Sequence, residues 1–193
     1  MKKNILTILL MHNFLFAFDN TDIAKAIKEI ALRENIDQRI LYTIAKIESN
    51  FKPFAICMTT SKENALQFKQ IQNPNIKIIA SEYKYNKNKW IISFYPKNLL
   101  YAKALATAFK KQNFSFDVGL TQINTTNFKL EEIDYIFDPK YNLLKSSKVL
   151  KSCLKMKKDI KKTIECYNYG TKHRNSYPYY TKFKKAFSKS FGI

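Results

Sequence analysis

At 193 residues, 46% of them apolar and 15% aromatic, the chain has material for one domain with a full core. That excludes a disordered chain or a scaffold that needs a structural metal. Its formal net charge of +19 selects anionic partners: nucleic acid, a membrane surface or a polyanionic wall polymer. Cys57, Cys153 and Cys166, with His12 and His173 alone to assist them, match no zinc spacing, so no metal and no other cofactor is expected.

Residues 1–17 read as a secretory signal peptide, with Lys2 and Lys3 as charged head, an apolar run over 5–16 and Ala17 before cleavage. A retained anchor is the alternative, although the run is short for a bilayer and His12-Asn13 interrupts it. Cleavage leaves 18–193 as the mature domain, in the periplasm, with a charge of +17. Export favours envelope material over nucleic acid as partner, with no stable membrane insertion once the signal is removed. Outside the cytoplasm, three cysteines make one disulfide and one free thiol, and Cys153 with Cys166, on consecutive helices, is the better pair.

Asn20 or Thr21 is expected to cap a helix carrying Ile23, Ala24, Ile27, Ile30 and Ala31 on one face. Asp37 caps the next, which ends at Glu48, and Pro53 prevents continuation. Leu41, Ile44 and Ala45 form the apolar stripe of that second helix, and Glu48 continues it, four residues past Ile44. A carboxyl on that face is desolvated, so its pKa rises and it keeps a proton near neutrality, as a general acid must. The bland alternative is a helix-terminal glutamate that curls back to water.

Residues 59–75 read as polar and irregular, and 76–85 with 90–95 as a hairpin around Asn86-Lys87-Asn88-Lys89. A helix over 99–111 packs through Leu99, Leu100, Ala102, Leu105, Ala106 and Phe109. Asn142 is expected to cap a helix to about Met156, with Leu143, Val149, Leu150 and Leu154 inward. Another helix, over 159–169, closes on Gly170 as a left-handed cap, and Pro178 opens a basic terminal helix to about Ser188. The sum is an α+β domain, mostly α, with a small β-hairpin insertion.

Only three glycines occur, and two fall in chemically suggestive stretches, Asp117-Val118-Gly119-Leu120-Thr121-Gln122-Ile123-Asn124 and Tyr167-Asn168-Tyr169-Gly170. Gly119 permits a tight turn or close ligand approach, while Gln122 and Asn124 offer amides of the kind that read sugar hydroxyls. Ordinary surface amides are the alternative.

Taken in order, Glu48-Ser49, Gly-Leu-x-Gln-Ile-Asn from Gly119 to Asn124, and Tyr-Asn-x-Gly from Tyr167 to Gly170 resemble the soluble lytic transglycosylase domain, a lysozyme-like fold. Phe116 to Asn124, Asn127, Phe137-Asp138-Pro139 and Leu150-Lys151-Ser152-Cys153 are similar more specifically to the small transglycosylases of type IV secretion and conjugation systems. The resemblance spans roughly 23–187 and implies peptidoglycan glycan strands as substrate, with secretion machinery as a further partner. It also implies Glu48 as single catalytic acid/base, Ser49 as its support and Tyr167 as the phenol holding its carboxyl. Ser49, Gly119, Leu120, Gln122, Asn124, Asn168 and Tyr179 are implied to bind substrate along the groove, with Tyr179 and Lys182 also forming a closing Tyr-x-x-Lys element.

There are departures: Cys57 stands where many members carry serine, Cys166 where alanine precedes Tyr-Asn, and about seventy residues separate Glu48 from Gly119. The family chemistry explains why one acid suffices where glycosidases normally use two. The 2-acetamido group of N-acetylmuramic acid stabilises the cation and its C6 hydroxyl attacks, leaving a 1,6-anhydro end. Three other readings stand beside it. A muramidase would use Asp117 to orient water, and a wall-binding assembly factor would retain only the groove. A Cys57–His173 peptidase would need both groups in contact.

Overall fold

The computed structural model describes residues 18–192 apart from 72 and 85; the expected signal segment lies outside the described residues. Helices α1 (Asn20–Glu34) and α2 (Gln38–Ser49) come first, then strand β1 (Ile56–Ser61) and helix α3 (Lys62–Gln70). Strands β2 (Ile76–Glu82) and β3 (Lys89–Pro96), helix α4 (Leu99–Lys111) and short strands β4 (Asp117–Val118) and β5 (Ile123–Asn124) follow. Two 3-10 turns lead to α5 (Pro139–Lys157), α6 (Ile160–Tyr169) and α7 (Pro178–Phe191). The strands form one antiparallel sheet in the order β2-β3-β1-β4-β5.

Asp19, not Asn20 or Thr21, caps α1, because Asp22 three residues on completes a reciprocal capping box with it. Asp37 caps α2 as expected. The helix stops one residue beyond Glu48 because Asn50 and Phe51 both adopt positive φ, 52° and 61°, which turns the chain away at once. Leu41, Ile44 and Ala45 are fully buried. Each such Leu or Ile contributes on the order of 2 kcal/mol by leaving water. They fix which way the last turn of α2, and therefore Glu48, faces.

The stretch 59–75 is not irregular. Residues 56–61 pair with β3, Thr59 opposite Ile91 and Ser61 opposite Lys89, and Ser61 then caps α3. Tertiary pairing supplies what local composition does not reveal, and α3 buries only Ala65, so its apolar periodicity is faint. Leu100 and Leu154 are exposed rather than inward, and Val149 faces a cleft. Asp138 caps α5, with Pro139 in its first turn. Asn142 is fully buried inside that helix and does different work.

Three apolar clusters divide the described residues. One lies between the sheet and α3–α4 around Phe94, Phe109 and Phe116; another joins α1, α2, Leu120 and Leu143. The third packs Ile44 against Leu150, Ile164, Tyr179 and Phe183. In α2, Leu41 serves the second cluster and Ile44 the third, so Glu48 emerges where they part.

Candidate active site

Alternation along the strands builds one wall of the site. Ile56 and Met58 of β1 and Ile92 and Phe94 of β3 point into the core, so Cys57, Thr59, Ile91, Ser93 and Tyr95 point the other way. These five, with Tyr83 at the end of β2, line a cleft of about 670 Å³ whose opposite wall is Lys46, Ile47, Glu48, Tyr179 and Lys182 from α2 and α7. A second cleft, about 530 Å³, continues from it past Asn124, Val149, Tyr167 and the Cys153–Cys166 disulfide. Glu48, Asp117, Gln122 and Asn168 line both, and so mark the middle of one groove.

Glu48 is partly exposed towards that groove and otherwise enclosed. Desolvation is the largest influence on it and raises its pKa to about 7. The Asp117 charge adds to the rise, and hydrogen bonds from Tyr179 and Asn168 with the Lys182 ammonium oppose it. The Tyr179 hydroxyl donates to Glu48 Oε1. Lys182 Nζ donates to the Ile47 carbonyl at 3.0 Å, where the C-terminal end of α2 favours a cation.

Tyr167 is placed otherwise than the resemblance implies. Its hydroxyl donates to the Thr121 carbonyl at 2.9 Å. With that proton committed, the Ser146 hydroxyl at 2.9 Å is the donor to Tyr167 Oη. Tyr167 therefore lines the groove and ties α5 and α6 to the 119–124 segment, while Tyr179, read as a groove residue, is the phenol on Glu48. Ser49 lies against the groove but its hydroxyl is spent: it donates to the Leu120 carbonyl at 2.7 Å and accepts from Lys52 N–H at 3.1 Å. It anchors the end of α2 to the glycine segment instead of reading substrate.

Gly119 and Leu120 do not line the groove; they support it from behind. Leu120 is 1% exposed in the α1–α2 cluster. Gly119 has φ +79°, and a Cβ there would lie 2.3 Å from Asn142 Nδ2. That amide is the hub of the segment. Asn142 donates to the Val118 and Ile136 carbonyls at 3.1 and 3.0 Å, and accepts from Thr121 N–H and Oγ1 at 2.8 and 2.7 Å. Gln122, also at positive φ, commits its amide nitrogen to the Gly119 and Ala55 carbonyls at 2.8 and 3.2 Å while lining the groove. Asn124 donates to Asp117 Oδ1 at 2.8 Å and accepts from Thr126, so its first task is to hold that acid. Burial raises the Asp117 pKa, and the Asn124 bond opposes the rise.

Cys153 and Cys166 are joined, which fastens α5 to α6 one residue before Tyr167. Gly170 ends α6 as expected, but with ψ −164°, a mirror-extended conformation for which glycine is required, not the left-handed cap. Cys57 is a free thiol facing the groove, pushed up to about 11 by burial, with Ser93 on its sulfur.

Glu165 and the hairpin wall are the functional features that motif reading misses. Glu165 is 4% exposed and accepts from Tyr180 N–H at 2.9 Å, in the first turn of α7. A long polar groove with an enclosed carboxyl at its middle suits an enzyme that cleaves a glycan strand. The chain belongs to the transglycosylase SLT domain family, whose model matches residues 25–189. Members are lytic transglycosylases acting on peptidoglycan, and the α+β, mostly helical fold is theirs. No curated protein and no solved structure shows a significant match.

Proposed function

We propose that this enzyme cleaves the β-1,4 bond between N-acetylmuramic acid and N-acetylglucosamine with Glu48 as its one acid/base. The observation that carries the reading is a carboxyl held at a pKa of about 7, centred in the groove, with a phenol donating to it. Protonated Glu48 gives its proton to the glycosidic oxygen as the bond to C1 breaks. The substrate's 2-acetamido oxygen stabilises C1, the C6 hydroxyl attacks it, and the hydroxyl proton returns to Glu48. The product is a 1,6-anhydro end, and the acid is regenerated without a second carboxylate.

The residue pattern of 1–17 supports export to the periplasm. The motifs at 116–124 and 137–139 support service to a type IV secretion or conjugation apparatus, by local opening of the wall. Asp117, which lines both halves of the groove, favours a second reading in which it orients a water and the enzyme is a muramidase. Mass analysis of products from purified murein decides between them: anhydro ends are one water lighter than hydrolysed ends. Reducing-end products alone would overturn the transglycosylase reading.

A further inference from the structure

Behind the disulfide, a separate cavity of about 280 Å³ opens between the end of α5, α6 and the 171–177 segment. Met156, Cys166 and Gly170 line both this cavity and the groove, so the two adjoin. Its lining is strongly cationic. Lys157, Lys162, Lys172 and Arg174 line it, His173 stands among them, and Glu165 is the only acid among the described lining residues. That acid is already engaged, by Tyr180 N–H at 2.9 Å and by Arg174 Nη1 at 3.5 Å. Lys157 Nζ donates to the Thr171 carbonyl at 2.9 Å. The side chains of Lys162 and Lys172 have no hydrogen-bond or ion-pair partner among the described residues.

Arg174 is laid over Tyr169, its guanidinium carbon 3.6 Å from the ring centroid, so the planar fork is oriented before any ligand arrives. Its contact with Glu165 engages one nitrogen at long range and leaves other donors for a carboxylate. A concave wall with several cations and one engaged acid concentrates positive potential. In an intact strand the glycan backbone offers nothing to it, because each muramic acid's lactyl carboxyl is tied up in the amide to its peptide. The negative charge of peptidoglycan is carried by carboxylates of the peptides attached to the muramic acid residues.

We propose that this cavity is a stem-peptide subsite, in which Lys162, Lys172 and Arg174 bind peptide carboxylates of the strand lying across Glu48. The inference rests on peptidoglycan being the substrate, and adds to it that the enzyme senses whether the strand still carries its peptides. A strand stripped by an amidase is then a poorer substrate than an intact one.

The test uses K162E/K172E, with K25E/K28E on the exposed side of α1 as a control of equal charge change. On peptide-bearing murein fragments, K162E/K172E raises KM about tenfold with kcat within about twofold, as two lost exposed charge pairs imply. On amidase-treated glycan chains whose freed lactyl carboxyls are capped as amides it matches wild type, and the control matches wild type on both. Titration of the wild type with the free stem tetrapeptide shows binding that the double variant loses and that a peptide with amidated carboxyls does not show. Equal loss on both substrates, equal loss in the control, or stem-peptide binding indifferent to the two lysines overturns the subsite. A protein that binds the tetrapeptide through these lysines yet cleaves no glycan supports the subsite and refutes the proposed chemistry, so the two failures are distinct.

Discussion

The hydroxyl of Tyr179 donates to the carboxyl of Glu48, linking the first turn of α7 to the last turn of α2 across more than half of the chain. Tyr167 sits in the same groove and bonds instead to Ser146 and Thr121. Removing either phenol should therefore have different consequences. The Tyr179 bond lowers the Glu48 pKa against desolvation, so Tyr179→Phe leaves desolvation less opposed and shifts the alkaline limb of activity upward. Turnover should also fall, by up to about 10²-fold, as the carboxyl loses its orientation. Tyr167→Phe should leave that limb in place and cost about 1–2 kcal/mol of stability, the price of an unpaired buried carbonyl. The pH dependence of kcat/KM and urea unfolding of both variants measure this. A shifted limb in Tyr167→Phe with none in Tyr179→Phe would reverse the assignment.

Glu48→Gln should abolish cleavage, since general acid catalysis contributes about 10²–10⁴-fold and an amide has no proton to give. It should also change the dependence of stability on pH. The folded pKa of about 7 lies above the ordinary glutamate value of 4.5, so the folded state holds this proton more tightly than the unfolded one. The stabilisation is complete below pH 4.5 and is lost as pH rises through about 7. Gln keeps the shape without the charge, so the variant should match wild type at pH 5. By pH 9 it should be the more stable, by at most about 3 kcal/mol. Denaturant melts at the two pH values test the sign.

Gly119→Ala should be among the most damaging single-methyl changes in the chain. The Cβ would meet the Asn142 amide at 2.3 Å while the backbone stays at φ +79°. Asn142 cannot yield without releasing Thr121 N–H and two carbonyls, all buried. Together the strain and the lost bonds should cost about 3 kcal/mol or more. Thermal melts of Gly119→Ala and Asn142→Ala should show comparable losses. A benign Gly119→Ala would mean that the segment is not held this way.

The sequence is most legible where one residue acts through its own helix. The α2 stripe points Glu48 inward because Leu41, Ile44 and Ala45 have no other way to be buried, and spacing alone says so. The disulfide between consecutive helices is legible for a similar reason. What is not legible depends on partners far along the chain. Nothing local to Tyr167 or Tyr179 says which phenol reaches Glu48. That choice is made by α7, packed on α2 through Ile44, Tyr179 and Phe183. Residues 56–61 become a strand only because β3 is there to pair with them. The extra length between Glu48 and Gly119 is visible in the sequence, but its role as a groove wall emerges only once β1 and β3 share a register.

Glu165 offers the last test, because it acts on the groove without facing the reacting bond. Helix α7 has no side-chain cap of its own: Tyr177 precedes it and Pro178 occupies its first turn. Glu165 reaches over from α6 and accepts from Tyr180 N–H, supplying both an acceptor and a negative charge at the end of α7 where the helix dipole favours one. The residue before Tyr180 is Tyr179, so the carboxylate of Glu165 sets the position of the phenol that Glu48 receives. Glu165→Ala should therefore cost about 1–2 kcal/mol, as loss of a cap does. A structural role alone predicts no more than that. Positioning also predicts lower kcat and an alkaline limb moved upward in the same direction as Tyr179→Phe. Glu165→Gln retains the acceptor oxygen and should recover most of kcat while remaining slightly less stable than wild type. If Glu165→Ala lowers stability but leaves the pH profile where it was, α7 holds Tyr179 in place without this carboxylate.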